Sequence, residues 1–247
     1  MSNDFTDQIA VITGAATGIG NAIATYLAER GARIAGVDIA PSLQEALAAL
    51  PGEGHLAVTA NIADATVAHE AISRVVAELG APQILVNSAG IGRFGPGEEL
   101  SEKDWQSTLA VNLSGSFFMS QAGGRAMLEA GYGRIVTIAS QAAEIGLVEH
   151  AAYSASKAGV LGFTRVLAVE WASRGVTVNA VSPTIVDTAL AREIWVGEKG
   201  ETARSAIPAG RFATPDEVAS LVAFLASADS AMITGENMRV DGGRSVI

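Results

Sequence analysis

The chain has 247 residues, of which 49% are hydrophobic and 17% are charged, so it can bury a substantial core. Its formal net charge of −10 disfavours nucleic acid and membrane surfaces as partners. Because the chain has no cysteine and its three histidines (His55, His69 and His150) are scattered, we expect neither disulfides nor a metal site. The N-terminal MSNDFTDQ lacks the apolar segment of a signal peptide, and no apolar run is long enough for a membrane span. We therefore expect a cytoplasmic protein.

Short apolar runs alternate with longer amphipathic segments along the chain. The runs typical of strands buried on both faces are 9–13, 33–38, 56–60, 84–87, 134–140 and 176–182. The segments between them have helical periodicity, as in NAIATYLAER (21–30), which Gly31 closes. This order predicts an α/β fold with one doubly wound Rossmann-type domain over 1–247. We expect a parallel sheet of about seven strands with helices on both faces.

The first strand is followed by a glycine-rich turn, TGAATGIG (13–20). Gly14, Gly18 and Gly20 allow a backbone turn that contacts a pyrophosphate, which the N-terminus of the next helix also stabilises. The next strand ends in Asp38, whose carboxylate can accept hydrogen bonds from both adenine-ribose hydroxyls and would repel a 2′-phosphate. No Arg or Lys stands at 15–17 or at 39 to neutralise such a phosphate, so NAD is favoured over NADP. The alternative is that Asp38 merely caps a loop.

The stretch AAYSASKAG (151–159) places Tyr153 and Lys157 four residues apart, on one face of a predicted helix. A free phenol titrates near pH ~10, and a neighbouring ammonium lowers that pKa toward neutrality, which suits a general acid/base. An ordinary surface helix can contain the same pair. Ser140 lies 13 positions upstream at the C-terminal end of a predicted strand, where ligand sites of open parallel sheets collect, and this favours catalysis.

Seven motifs follow one another along nearly the whole chain. They are TGAATGIG (13–20), NSAG (87–90), Asn112 in LAVNLSG, Ser140, YSASK (153–157), VNAVSP (178–183) and TGENMRVDGG (234–243). In this order and spacing they resemble the motifs of the short-chain dehydrogenase/reductase family. The resemblance implies a nicotinamide-dependent oxidoreductase, in which the cofactor carries the hydride and the protein supplies orientation and a proton path.

The resemblance implies roles for four catalytic residues. Tyr153 would exchange a proton with the substrate oxygen, and Ser140 would hydrogen-bond that same oxygen. Lys157 would bind the nicotinamide ribose and lower the pKa of Tyr153. Asn112 would order a helix break and a water that links Lys157 to solvent.

The resemblance also implies a set of cofactor contacts. They are Gly14, Thr17, Gly18, Ile19, Gly20, Asp38, Asn61, Ile62, Asn87, Ala89, Gly90, Tyr153, Lys157, Pro183, Val186 and Thr188. Three positions depart from the family pattern: Asn61 replaces the usual Asp, Ser88 replaces a second Asn, and Thr184 replaces the Gly that usually follows Pro. These changes leave the four catalytic positions intact.

The residues around the catalytic motif indicate the class of substrate. Gln141 directly follows Ser140, and His150 precedes Tyr153 by three positions. Polar groups here suit a polyhydroxyl substrate better than a fatty acyl chain. The pattern is similar to polyol dehydrogenases of the family, such as L-xylulose reductase and enzymes acting on threitol, which implies that Gln141, His150 and Trp195 contact substrate together with Ser140 and Tyr153. Alternatively, Gln141 and His150 satisfy loop backbone groups and Trp195 covers the core.

Two further expectations concern the segment 184–210 and assembly. The segment is long for a connection and follows the nicotinamide contacts, so we expect a lid that closes over substrate, with Trp195 on its inner face. The resemblance implies a homotetramer built on helices near 101–128 and 151–173 and on the C-terminal strand.

Three functions remain open at this point. The first is an NAD-dependent dehydrogenase that reversibly oxidises a secondary hydroxyl of a small polyol. The second is another enzyme of the family, such as a 3-oxoacyl thioester reductase. The third is a non-catalytic NAD-binding regulator, although erosion of the catalytic tetrad would then be expected and is not seen.

Overall fold

The computed structural model describes residues 4–247, whose strands form one sheet. The strands are β1 (Ile9–Thr13), β2 (Arg33–Asp38), β3 (Leu56–Thr59), β4 (Ile84–Asn87), β5 (Gly133–Ile138), β6 (Val176–Pro183) and β7 (Asn237–Val240). Their order is β3-β2-β1-β4-β5-β6-β7, and every neighbouring pair is parallel. The predicted doubly wound parallel sheet is therefore confirmed, with strand ends that differ from the predicted ones by at most two residues.

Helices cover both faces of the sheet. They are α1 (Gly18–Ala28), α2 (Leu43–Ala48), α3 (Ala65–Glu78), α4 (Glu102–Leu109), α5 (Ser116–Ala130), α6 (Ala151–Trp171), α7 (Ala189–Ile194), α8 (Gly197–Ser205) and α9 (Pro215–Ala226). The core cluster on one face contains residues of α1, α2 and α9, and the cluster on the other contains residues of α3, α5 and α6. On β1, Ala10 and Ile12 belong to the first cluster, whereas Ile9 and Val11 belong to the second. Burial on both faces explains why the strands are continuously apolar.

The chain reverses its winding direction between β1 and β4. From β1 the strand order runs to β2 and β3 on one side, and from β4 it runs to β5, β6 and β7 on the other. A crevice therefore opens at the carboxyl ends of β1 and β4, where open sheets of this kind bind ligands. Thr13, the last residue of β1, ties these ends together because its hydroxyl accepts hydrogen bonds from the backbone N–H groups of Ser88 and Ala89, both at 3.0 Å.

The segment 184–210, predicted as a long loop, contains the helices α7 and α8. Its base is closed by a parallel bridge between Val186 and Ala213, in which Asp187 N donates to Ala213 O at 2.8 Å and Ala213 N donates to Ile185 O at 3.0 Å. Helical hydrogen bonds therefore satisfy part of the backbone of this segment, and its closure as a lid stays a prediction.

Across residues 4–247, no helix is long and apolar enough to cross a membrane. The same part of the chain holds no group of three or more His, Asp or Glu side chains arranged to bind a metal ion.

Candidate active site

The glycines of the turn after β1 are required by close backbone contacts. Gly14 has φ +71°, and a Cβ atom there would lie 2.9 Å from the backbone N and Cα of Ala89. Gly18 also has positive φ, at +59°, and a Cβ on Gly20 would overlap the carbonyl oxygen of Gly14. A side chain at Gly14 or Gly20 would displace backbone, whereas Gly18 is favoured by its positive φ alone.

The N-terminus of α1 is open to a ligand. Thr17 occupies its N-cap position but makes no side-chain capping bond, and the first turn carries no acidic residue. By contrast, Asp64 caps α3 and Thr214 caps α9. The first N–H groups of α1 and its positive dipole end therefore suit an anion such as a pyrophosphate. These features fit the dinucleotide that the glycine motif predicts.

Asp38 ends β2 beside the glycine turn. Its Oδ2 accepts a hydrogen bond from Ala16 N at 3.0 Å, and its Oδ1 accepts one from Ala40 N at 3.0 Å. The loop-capping role considered as an alternative is therefore present. Each carboxylate oxygen retains a further lone pair, so the same contacts also orient Asp38 to accept from ribose hydroxyls.

Ser140, Tyr153 and Lys157 lie together at the carboxyl end of β5. The Ser140 side chain lies close enough to the Tyr153 phenol to lower its pKa, and the Ser140 hydroxyl accepts a hydrogen bond from Ala142 N at 3.1 Å. Lys157 is buried one helical turn after Tyr153, with its Nζ 5.7 Å from the centre of the tyrosine ring. That Nζ donates to the carbonyl oxygen of Ile138 at 2.7 Å, which holds the cation against the end of β5. The structure therefore brings the predicted hydroxyl, phenol and ammonium into one cluster.

The pKa values of this cluster differ from the simplest expectation. Burial raises the pKa of Tyr153, and the nearby Ser140 side chain opposes that rise. Lys157 is not among the groups that shift the pKa of Tyr153 here, and its Nζ, bonded to Ile138 O, lies 5.7 Å from the centre of the tyrosine ring, so the predicted lowering by Lys157 stays a prediction. Burial also lowers the pKa of Lys157 to about 8, because a charged ammonium loses its water in the interior.

Asn112 lies in a widened π-helical turn, 110–115, between α4 and α5. Its Oδ1 accepts from Ile91 N at 2.8 Å, and its Nδ2 donates to Ile91 O at 2.9 Å and to Ser156 Oγ at 3.1 Å. The predicted helix break is thus present. A Cβ on Gly90 would lie 3.3 Å from Asn112 Oδ1 and 3.6 Å from Lys157 Nζ, so the glycine leaves space between these groups.

Several predicted cofactor contacts lie around this crevice. Thr188 caps α7 by accepting from Ala191 N, and its Cγ2 lies 3.9 Å from where a Cβ on Gly18 would be. The start of α7 therefore faces the glycine turn. Pro183 ends β6 on the same sheet edge, and Val186 is buried just after it.

Three other predicted cofactor contacts, Asn87, Asn61 and Ile62, have side chains that contact neighbouring protein groups. The Asn87 amide is buried and donates to Ser120 Oγ at 2.8 Å and Thr137 Oγ1 at 3.1 Å. Its Oδ1 is buried without a hydrogen-bond partner, and the contact with the dinucleotide stays a prediction. Ile62 packs against Gly115, and the Asn61 side chain accepts from Ala63 N.

The predicted substrate residues are only partly brought together. Gln141 is 7% exposed beside Ser140, and its Oε1 is buried without a hydrogen-bond partner, so it does not satisfy loop backbone. His150 does bond loop backbone, through Nδ1 and Val148 O at 2.6 Å, and its ring centre lies 6.1 Å from that of Tyr153. Trp195 ends α7 and contacts Phe212 and Lys199, within or next to the segment 184–210.

Sequence reasoning missed two side-chain contacts of the site. Phe94 lies against both His150 and Tyr153, and the glycines on either side of it in GIGRFGPG were the available signal. Arg239 of β7 forms a bidentate ion pair with Glu144 at 2.6 and 2.8 Å, which joins the loop after Ser140 to the last strand. No local pattern predicts a pair 95 positions apart.

The arrangement can bind a dinucleotide and transfer a proton, and comparison with known proteins agrees with it. A family model described as "Enoyl-(Acyl carrier protein) reductase", one of those for short-chain dehydrogenases, matches residues 14–245. The chain belongs to the short-chain dehydrogenase/reductase family. Enzymes of this family are nicotinamide-dependent oxidoreductases.

Within the short-chain dehydrogenase/reductase family, the chain is similar to enzymes of different specificity. It is 52% identical to the D-threitol dehydrogenase of Mycolicibacterium smegmatis, over 97% of this chain and 93% of that protein. It is 43% identical to the NAD-dependent glycerol dehydrogenase of Listeria innocua, over 98% of this chain and 96% of that protein. It is also 38% identical to the 3-oxoacyl-[acyl-carrier-protein] reductase FabG of Escherichia coli, over 99% of this chain and 100% of that protein.

A solved structure has the same fold. A Beutenbergia cavernae protein, provisionally named an NAD(P)-dependent gluconate 5-dehydrogenase, is 38% identical and superimposes with a TM-score of 0.93 over 100% of both chains. Its crystal structure holds NADP at low occupancy, whereas the Listeria innocua relative is described as NAD-dependent. The relatives therefore differ in nicotinamide cofactor.

Proposed function

We propose that this protein is an NAD-dependent dehydrogenase that reversibly oxidises a secondary hydroxyl of a small polyol to a ketone. The observation that carries the proposal is the cluster in which the Ser140 side chain lies close enough to the Tyr153 phenol to lower its pKa, while the next residue, Gln141, has a buried Oε1 without a hydrogen-bond partner. The similarity to a D-threitol dehydrogenase and a glycerol dehydrogenase supports the polyol class.

NAD is favoured over NADP by the charge at the end of β2. Two backbone N–H groups orient the Asp38 carboxylate beside the glycine turn, where it would repel a 2′-phosphate. The following residue is Ile39, which is 68% exposed and offers no positive charge to offset that repulsion.

Tyr153, Ser140 and Lys157 would each have a separate role in the reaction. NAD, when bound, would accept a hydride from the carbinol carbon. Tyr153 would take the hydroxyl proton, and Ser140 would hold the same oxygen by a hydrogen bond. Lys157, with its pKa lowered to about 8, would bind the nicotinamide ribose and exchange protons near neutral pH beside Tyr153 on the same helix.

Two groups would recognise the remaining hydroxyls of the substrate. The buried Oε1 of Gln141 lacks a partner and would gain one from a substrate hydroxyl, which favours substrates that offer such a donor. His150 donates through Nδ1 to Val148 O, which in the neutral ring leaves Nε2 as an acceptor. Trp195 would line the pocket only if the segment 184–210 moved as a lid.

The test measures NADH formation by absorbance when the enzyme and NAD are mixed with tetritols, pentitols, hexitols or simple secondary alcohols. We expect turnover of polyols with NAD and much weaker turnover with NADP or with alcohols that lack neighbouring hydroxyls. The FabG relative makes a 3-oxoacyl thioester reductase the second candidate. Oxidation of NADPH by an acyl thioester, with no polyol turned over, would refute the leading proposal.

A further inference from the structure

One aromatic side chain that the proposed chemistry does not use stands beside the catalytic phenol. The centre of the Phe94 ring lies 4.3 Å from that of His150, with 37° between the planes, and 5.8 Å from that of Tyr153, at 62°. His150 and Tyr153 are themselves 6.1 Å apart. The three rings form a continuous surface, which we call the aromatic wall (Phe94, His150 and Tyr153).

The backbone on both sides of Phe94 holds it in place. Its ring lies over Gly92, where a Cβ would overlap the ring. Gly95 N donates to Glu149 O at 3.1 Å, which joins the segment after β4 to the residue before His150. Glu149 adopts φ +65°, an uncommon value for a non-glycine residue. Two segments distant in sequence therefore meet at the Phe94–His150 contact.

The Phe94 ring is nevertheless 53% exposed. Exposed apolar residues are common and mean little by themselves. This ring differs because it is supported on one side by a histidine with a free nitrogen and lies at the edge of the catalytic phenol. The aromatic wall thus offers an apolar face and a hydrogen-bond acceptor side by side.

We propose that Phe94 determines substrate specificity through that open face. A small polyol carries C–H groups as well as hydroxyls, and the ring would pack against those C–H groups while Tyr153 binds the reacting hydroxyl. The other side of the ring keeps His150 oriented so that Nε2 accepts from a second hydroxyl. This inference rests on the polyol dehydrogenase function proposed above.

The test compares Phe94→Ala and Phe94→Leu with the wild-type protein. Loss of the ring should raise KM for the polyol about tenfold, as expected for loss of one apolar contact, with kcat changed by less than about threefold. Because the Leu variant keeps apolar volume, its KM should lie between those of the wild type and of Phe94→Ala. NADH affinity, measured by fluorescence titration, should not change. Met232→Ala is the matched control, since Met232 is 96% exposed.

A second arm tests the contact between Phe94 and His150. In a His150→Ala background, Phe94→Ala should cost less in kcat/KM than in wild type, because residues in contact are non-additive. The ring-proton resonance of His150 should also shift when the Phe94 ring is removed, whereas Met232→Ala should leave it in place.

Three outcomes would overturn the role of Phe94 while the wild type still oxidises polyols. The first is an unchanged KM in Phe94→Ala. The second is a fall in NADH affinity large enough to account for the lower kcat/KM. The third is an equal fall in kcat/KM on Phe94→Ala substitution with and without His150. If the wild type turns over no polyol at all, the proposed function fails first and this inference fails with it.

Discussion

At the scale of single residues, burial rather than a neighbouring charge is the largest cause of the pKa shifts of Tyr153 and Lys157. The Tyr153–Lys157 spacing correctly placed both side chains on one helix face, but the pKa of the phenol is raised by burial. The Lys157 ammonium is held by the carbonyl oxygen of Ile138, a residue that the local motif does not contain. Such a contact depends on where α6 packs against β5, which local spacing does not predict.

Replacing Tyr153 by Phe tests the proton transfer. The ring would still pack against Phe94 and His150, but the proton donor would be lost, so kcat should fall by about 10²- to 10⁴-fold. NADH binding, followed by fluorescence, should remain within about twofold. Tyr26→Phe on α1 is the control, because Tyr26 packs under Arg30 outside the cluster. Full turnover by the Tyr153 variant would contradict the proposed acid/base role.

Replacing Lys157 by Met tests the effect of burial on stability. The folded pKa of about 8 lies below the ordinary value of 10.5, so protonation of Lys157 opposes folding below pH 8. This penalty decreases as pH rises from 8 to 10.5, because the unfolded chain then binds more protons. At pH 7 the penalty is about 3 kcal/mol. Substitution by Met removes this penalty but also loses the hydrogen bond to Ile138 O, which costs about 1 kcal/mol.

The free energy of unfolding of Lys157→Met at pH 7, measured with urea, should therefore exceed that of wild type by about 2 kcal/mol. The difference should shrink as pH rises above 8 and change sign near pH 10.5, where only the lost bond to Ile138 O, about 1 kcal/mol, remains. Lys103→Met, at an exposed position of α4, should show neither effect. A variant that is destabilised equally at both pH values would show that the hydrogen bond outweighs the buried charge.

At the scale of elements, the site depends on two strand ends that touch. Gly14 after β1 lies against Ala89 after β4, and the Thr13 hydroxyl binds both Ser88 and Ala89. The glycine pattern predicted the turn. Its second function, allowing β4 to approach, becomes visible only when β1 and β4 are neighbours in the sheet.

Gly14→Ala should destabilise the protein by about 1–3 kcal/mol, since the new methyl group meets backbone and φ is positive. It should also weaken NADH binding, because the turn must shift. Gly162→Ala is the control: Gly162 is an exposed position of α6 where a Cβ would have nothing within 4 Å, and the change should stabilise the helix by up to about 1 kcal/mol. Thermal unfolding measures the stability of each variant, and NADH titration measures its affinity. A Gly14→Ala variant with wild-type stability and NADH affinity would contradict the steric role of Gly14 in the turn.

At the scale of the whole molecule, we propose a homotetramer. On α6, Val166 is 55% exposed and Val169 is 83% exposed, on a helix that the family resemblance places at an interface. Buried positions of the same helix, such as Val160 and Leu167, pack toward the core, so these valines form a separate apolar surface.

Light scattering of the purified protein should give about four times the chain mass of 25.2 kDa. Val169→Asp should lower that mass, because it places a charge on the proposed contact surface. Val76→Asp on α3, where Val76 is 38% exposed, should leave the mass unchanged. A wild-type mass of one chain, or a Val169 variant with the wild-type mass, would count against this interface.

The sequence by itself determined the strand–helix order, the glycine turn, the acidic end of β2 and the catalytic spacing on α6. These features are local: periodicity, steric demands and i, i+4 geometry act within a few residues. The tertiary structure decided what meets across the fold, namely the Asn87 side chain turned into the interior, the helices within 184–210, and Phe94 against His150. These depend on packing between segments distant in sequence, where neighbouring strands and helices compete for the same side chains.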